Sequence, residues 1–218
     1  RGIGKAICGT LLAEGAAVST CARGEEALNN TLENWREEGG TVFGEALDVT
    51  DAAAFNNWLA SSEQQLGGAD IFVSNVTTRI TSQGIQRWED TFEVDLLQHI
   101  RATEAVLPYL QKGKDAAIVY VSSIASVMAA NMPTETEYGT MKAALVSYGA
   151  QLAQRVGKDN IRVNIVSPGP IFHAGGFWEM VKQKQPDLYK RAEAVSVFNR
   201  LGTSQEVANA VCFLASPA

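Results

Sequence analysis

Apolar positions fall into two kinds of segment that alternate along the chain. Short runs of strand length, at residues 16 to 21, 41 to 46, 71 to 74, 117 to 122 and 161 to 167, are apolar with few polar interruptions, the pattern of strands covered on both faces. Between them the apolar spacing is helical. Lys5 to Glu14 sets Ile7, Leu11 and Leu12 on one side, and Glu25 to Glu38 sets Leu28, Leu32 and Trp35 on one face before the terminator Gly39-Gly40. Asp51 to Leu66 groups Phe55, Trp58 and Leu59, and longer helical patterns cover about 86 to 111 and 137 to 157. A last helix, at 203 to 215, begins with the capping candidates Thr203 and Ser204 and carries Glu206 in its first turn. This order predicts an α/β fold, a doubly wound parallel sheet inside a three-layer α/β/α arrangement. Without a repeat, linker or low-complexity segment, residues 1–218 read as one domain.

At 218 residues and 46% hydrophobic, the chain can bury one sizeable core. Lys and Arg total 18 against 24 Asp and Glu, a net charge of -6 with no basic stripe, which argues against nucleic acid as a partner. No stretch reaches the roughly 18 unbroken apolar residues of a membrane span, and the first residues lack the apolar core of a signal peptide. A soluble, cytoplasmic protein is the expectation. Cys8, Cys21 and Cys212 are scattered without C-x-x-C spacing, so ordinary packing is expected of them, with no disulfide framework and no metal site.

The chain opens on RGIGKAI, which reads as the second half of a glycine-rich turn leading into a helix. In a Rossmann-type βαβ unit such a turn rests a pyrophosphate on the backbone N–H groups of the helix N-terminus. Gly2, Ile3 and Gly4 are therefore candidate cofactor contacts, the next strand following at the spacing of that unit. At that strand's end, where NAD-binding proteins place a carboxylate for the ribose 2′-hydroxyl, stand Ala22 and Arg23. With no carboxylate to repel a 2′-phosphate, and Arg1 as a second cation beside the turn, NADP(H) is favoured over NAD(H).

EYGTMKAAL supplies the candidate chemistry. Tyr138 and Lys142 are four residues apart and share one face of a helix. A neighbouring ammonium favours the phenolate and makes a tyrosine a usable acid–base group. Upstream, the strand in VYVSSIAS ends on Ser122-Ser123, offering a hydroxyl to hold a carbonyl oxygen.

These motifs resemble the classical short-chain dehydrogenase/reductase family across the whole length: GIG at 2 to 4, Asp48-Val49, the serine strand, YGTMK at 138 to 142, IRVNIVSPGPI at 161 to 171 and RLGTSQEVANAVCFLAS at 200 to 216. The chain is similar in a generic way to 3-oxoacyl-acyl-carrier-protein reductases, whose substrate is one candidate. The resemblance implies Ser123, Tyr138 and Lys142 as the catalytic group and Asp48 and Val49 at the adenine. It also implies Asn75 and Val76 along the cofactor, Pro168, Gly169 and Ile171 beside the nicotinamide, and Lys142 on the nicotinamide ribose. A central strand with a further glycine ahead of Arg1, and a last strand after Ala218, belong to the family pattern, so residues 1–218 are expected to be part of a longer polypeptide. The two long helices imply a homodimer or homotetramer.

Several positions depart from the family. Ser74 to Thr77 read SNVT where N-N-A-G is usual, placing a side chain at the glycine that gives the cofactor close approach. Asp95, a further candidate catalytic residue, stands at the usual relay asparagine; an ionised Asp only accepts hydrogen bonds, and anchoring a water chain, pairing with Lys142 and lowering activity are the roles open to it. His173 replaces a usual threonine and reads as a loop residue, and His99, within an apolar helix, as structural. Ser123 and Tyr138 are 15 residues apart, longer than usual, so the loop with Met128, Met132 and Pro133 is expected to bulge over the substrate. Residues 172–199, with Phe172, Phe177, Trp178, Tyr189 and Phe198, read as an apolar substrate lid hinged at Gly175-Gly176. The expected activity is hydride exchange between NADP(H) and a small ketone or secondary alcohol. A non-catalytic dinucleotide-binding sensor or scaffold and an NAD(H) enzyme of the same family are the alternatives.

Overall fold

The computed structural model describes residues 1–77, 81–128 and 136–217. Strands β1 (Val18–Ala22) and β2 (Val42–Ala46) form one parallel pair; β3 (Ile71–Ser74), β4 (Ala117–Val121) and β5 (Arg162–Val166) form a second parallel block, in that order. No ladder joins the two blocks among the described residues. A short pair, β6 (Ile171–Phe172) with β7 (Gly202–Thr203), is a further parallel element that sequence reading does not anticipate.

β4 shows why these apolar runs are continuous. All five of its residues are buried. Ile118 and Tyr120 face a core shared with α3 (Ala52–Leu66), α5 (Gln98–Leu110) and α6 (Thr136–Val156), while Val119 and Val121 face α1 (Gly2–Ala13) and α9 (Ser204–Ala215). Successive side chains of a strand point to opposite faces, so a strand between two helix layers needs apolar residues at every position. In α2 (Glu25–Glu37), Leu28, Leu32 and Trp35 are buried against Val42.

Helix ends follow local rules. Asp51 caps α3 by accepting from the backbone N–H groups of Ala53 and Ala54, and Gly67 ends it with φ +85°. Thr203 and Glu206 form a reciprocal capping box at α9.

Two expectations need correction. The helix at 86 to 111 is not one regular helix: α4 (Gly84–Phe92) passes through a π-helical turn, Glu93–Leu97, into α5. Such turns are rare and favour functional sites, and this one holds Asp95. Leu12 does not share the contacts of Ile7 and Leu11; it packs with Leu28, Leu32 and Trp35, so α1 touches two cores. The lid segment folds as α7 (Phe177–Lys184) and α8 (Pro186–Val195). Among the described residues no helix is long and apolar enough to cross a membrane. The three cysteines carry free thiols, and burial pushes Cys21 up to about 12.

Candidate active site

In a parallel sheet every strand delivers its carboxyl end to the same edge, where doubly wound folds bind ligands. Arg23 follows β1 and Asp48 follows β2 in one block, while Asn75 to Thr77 follow β3, Ser122 and Ser123 follow β4 and Pro168 follows β5 in the other, so within each block residues far apart in the chain share one edge. The seam is pinned by backbone hydrogen bonds: Ser122 N–H donates to Val166 and Ile124 N–H to Pro168, each at 2.8 Å.

α1 begins at this edge. A Cβ on Gly4 would lie 2.9 Å from Asn75 Nδ2, and one on Gly2, which has φ +56°, would lie 2.8 Å from His173 Nε2. The glycines therefore allow the helix start, the end of β3 and the chain after β6 to close up. Arg1 occupies the N-cap of α1 and supplies no side-chain cap, leaving N–H groups that a phosphate could accept from. Arg23 is exposed, and its charge helps hold the Asp48 carboxyl below the usual carboxylate range, after the larger effect of hydrogen bonds from Thr50 N–H and Oγ1. Val49 packs into the core beside Asp48. Val76, Gly169 and Ile171 are half-buried along the same edge.

Tyr138 and Lys142 lie one turn apart on α6, with Lys142 Nζ 5.6 Å from the Tyr138 ring centre. Tyr138 is half-buried and Lys142 is 1% exposed. Two local features set α6 here. The Ser122 hydroxyl donates to the Lys142 carbonyl at 3.1 Å. A Cβ on Gly139 would lie 3.0 Å from the Ala125 carbonyl oxygen, so glycine beside Tyr138 lets the helix approach the turn that follows Ser123. Ser123 Oγ accepts from Ala125 N–H at 3.2 Å, which orients the hydroxyl and leaves its own proton to donate.

Asp95 is fully buried, and its Oδ1 lies 3.1 Å from Lys142 Nζ, an ion pair rather than a well-aligned hydrogen bond. The same oxygen accepts from the Thr77 hydroxyl at 2.6 Å, while Oδ2 takes no hydrogen bond from any described residue. Burial pushes the Lys142 ammonium down, and the Asp95 carboxylate opposes that. Beyond them Arg87 pairs with Glu137, tying α4 to the start of α6.

His99, also fully buried, shares a 2.6 Å hydrogen bond between Nδ1 and Ser74 Oγ. Burial first, then the Lys142 charge, pushes it down to about 3, so it is a neutral structural residue. Its linkage has a definite sign: as pH falls below about 6.5 the unfolded chain takes up a proton that the folded protein refuses. Stability is expected to drop by about 2 kcal/mol between pH 7 and pH 5 from this residue alone. Urea midpoints of wild type and His99→Gln check this; equal pH slopes would contradict it.

The lid aromatics pack mainly on one another. Ring centres of Phe172 and Tyr189 are 6.5 Å apart, those of Trp178 and Tyr189 6.4 Å, and those of Phe177 and Trp178 5.3 Å, with Lys182 Nζ over Phe172 and Tyr189. Phe198 stands apart, 77% exposed. Gly175 has φ +69°. The expected bulge with Met132 and Pro133 falls on residues 129–135, outside the described residues; Met128 is half-buried.

Sequence reading missed three contributors: the Thr77 hydroxyl as a partner of Asp95, Ser122 as the anchor of α6, and Gly139 as its close-approach residue. Gly139 left a signal for its role, being a glycine inside a helical pattern, whereas Thr77 and Ser122 showed as residues without these roles. A cleft of about 600 Å³ lined by Thr10, Leu11, Ile71, Cys212 and Phe213 lies at the other end of β3 and contains none of these groups.

Fold and edge together define a doubly wound protein of the Rossmann type. Residues 1–218 match the family model described as enoyl-(acyl carrier protein) reductase. The chain is 33% identical over 222 residues to isoepoxydon dehydrogenase of Penicillium expansum, covering 100% of this chain and 85% of that protein. It is 32% identical over 225 residues to the 3-oxoacyl-(acyl-carrier-protein) reductase of Escherichia coli, covering 99% and 86%. Among solved structures, an NADPH-bound short chain oxidoreductase from Pseudomonas aeruginosa containing an atypical catalytic center aligns with a TM-score of 0.90 at 28% identity, over 100% of this chain and 86% of that one. The chain belongs to the short-chain dehydrogenase/reductase family of oxidoreductases.

Proposed function

We propose that the protein is an NADP(H)-dependent carbonyl reductase and alcohol dehydrogenase, acting on a ketone or secondary alcohol through Ser123, Tyr138 and Lys142. The observation that carries this reading is the Lys142 ammonium set beside the Tyr138 ring on α6, where the neighbouring Gly139 abuts the turn after Ser123. The cofactor fits the residues present: glycines at the start of α1, uncapped N–H groups there, and Arg23 in place of a carboxylate at the end of β1. Gly2, Ile3 and Gly4 would hold the pyrophosphate, Arg23 and Arg1 the 2′-phosphate, and Asp48 and Val49 the adenine. Asn75, Val76, Pro168, Gly169, Ile171 and Lys142 would line the nicotinamide half. When bound, the nicotinamide supplies or accepts the hydride.

The chain's own residues then handle the oxygen. Ser123 donates its hydroxyl proton to the carbonyl oxygen and fixes its position. Tyr138 gives that oxygen a proton in reduction and takes it back in oxidation. Lys142 favours the phenolate by its charge, and Asp95 keeps Lys142 charged in a buried position that by itself favours the neutral amine. NADPH support comes from the Pseudomonas structure, whose cofactor is NADPH, and the ketone class from the reductase and dehydrogenase relatives.

The test is NADPH oxidation by the full-length protein over a panel of ketones; NADPH binding without oxidation of any of them would refute the reading and support a non-catalytic sensor. For the cofactor, Arg23→Asp is expected to weaken NADPH binding about 10- to 100-fold, the scale of losing a charge-assisted hydrogen bond, and to leave NADH binding unchanged or improved. Fluorescence titration with both cofactors checks this, and an unaltered NADPH affinity would remove Arg23 from the site.

A further inference from the structure

Two departures from the family's usual residues touch each other. Thr77 stands at the glycine of the usual N-N-A-G and Asp95 at the usual asparagine, 18 residues apart, yet the Thr77 hydroxyl donates to Asp95 Oδ1 at 2.6 Å. That oxygen also faces Lys142 Nζ at 3.1 Å. We propose that Thr77 is a positioning residue of the reaction, its hydroxyl holding the Asp95 carboxylate in the one orientation that retains the Lys142 ammonium beside Tyr138.

The argument is one of hydrogen-bond supply. An asparagine in this place brings a donor and an acceptor and carries no charge. A carboxylate with no exposure brings only acceptors and must be compensated by donors or cations. Among the described residues a hydroxyl and an ammonium converge on Oδ1, and Oδ2 takes no hydrogen bond. With Lys142 alone, rotation about the Cβ–Cγ bond could turn the carboxylate plane and draw the ammonium away from Tyr138. The short bond from Thr77 restricts that rotation, because it holds the same oxygen from a second direction. A glycine at 77 offers no such donor, so the asparagine-to-aspartate change and the glycine-to-threonine change make physical sense as a pair. The π turn supports this arrangement: it sets the Asp95 side chain between the end of β3 and α6.

The effect on turnover rests on the proposed reductase reading; the contact between Thr77 and Asp95 is measured without it. In infrared spectra of the full-length protein without cofactor, the carboxylate band that disappears in Asp95→Asn identifies the residue. That band is expected to shift in Thr77→Val and to stay in place in Thr77→Ser. In turnover, Thr77→Val is expected to lower kcat about tenfold with KM for NADPH changed less than about threefold, and Thr77→Ser to restore kcat to within about twofold. In an Asp95→Asn background, Thr77→Val is expected to change kcat less than about twofold, because the group it acts through is gone. Should Thr77→Val not fold, Thr77→Gly carries the same expectations.

An Asp95 band that ignores Thr77→Val, a serine variant as poor as the valine variant, or an equal loss in the Asp95→Asn background each overturns the proposal. If the protein turns over no ketone, or Tyr138→Phe retains turnover, while the band shifts as expected, the reductase reading falls and the Thr77–Asp95 contact stands on its own.

Discussion

Tyr138→Phe is expected to lower kcat about 10²- to 10⁴-fold, the range of a lost general acid–base group, while NADPH affinity stays within about threefold. Phenylalanine preserves the ring that lies 5.6 Å from Lys142 Nζ and removes only the hydroxyl. Packing of α6 and the charge of Lys142 are therefore retained, and the loss reports proton transfer rather than folding. Steady-state kinetics with a ketone found in the substrate screen, alongside NADPH titration, provide the check. Turnover above a tenth of wild type would remove Tyr138 from the chemistry.

Lys142→Met is expected to have the largest effect on stability, about 3–5 kcal/mol, because it leaves the buried Asp95 carboxylate without its cation. The penalty belongs to the uncompensated charge and not to the lost side-chain volume, since methionine nearly fills the space. Converting the partner as well, in Lys142→Met with Asp95→Leu, is expected to recover most of the loss, as replacement of a whole buried pair by apolar groups often does. Urea unfolding with an unchanged m-value measures both. A single variant within about 1 kcal/mol of wild type would mean that the pair is not buried in solution as it is here. The double variant separates stability from chemistry, because it is expected to fold and to remain inactive.

The site was legible in part, for reasons specific to each residue. Tyr138 and Lys142 were readable because helical periodicity alone puts residues four apart on one face. The glycines were readable as the approach to a helix because the α1 pattern follows them, but the observed helix starts at Gly2 and takes them into its first turn. Ser122 and Ser123 ended an apolar run that became β4, whose parallel neighbours bring all their carboxyl ends to one edge. Asp95 was readable as a departure, with its role open. Its partner Thr77 was visible only as a missing glycine, because a hydrogen bond between residues 18 apart in unlike elements leaves no period in the sequence. The π turn was likewise hidden: one extra residue in a helical turn barely disturbs the apolar spacing of α4 and α5.

The sequence by itself determined the alternation of strands and helices, the burial of β4 on both faces, the capping of α9, and the Tyr138–Lys142 pair. All of these are set by contacts within a few residues or by periods of two and 3.6 residues, which a linear pattern records. Only the tertiary structure decided that Asp95 is a buried counter-ion, that Thr77 holds it, that Gly139 lets α6 reach Ala125, and that His99 stays neutral behind Ser74. Those outcomes depend on which side chains meet after the strands align, and on the desolvation imposed there, so no local pattern in the chain encodes them.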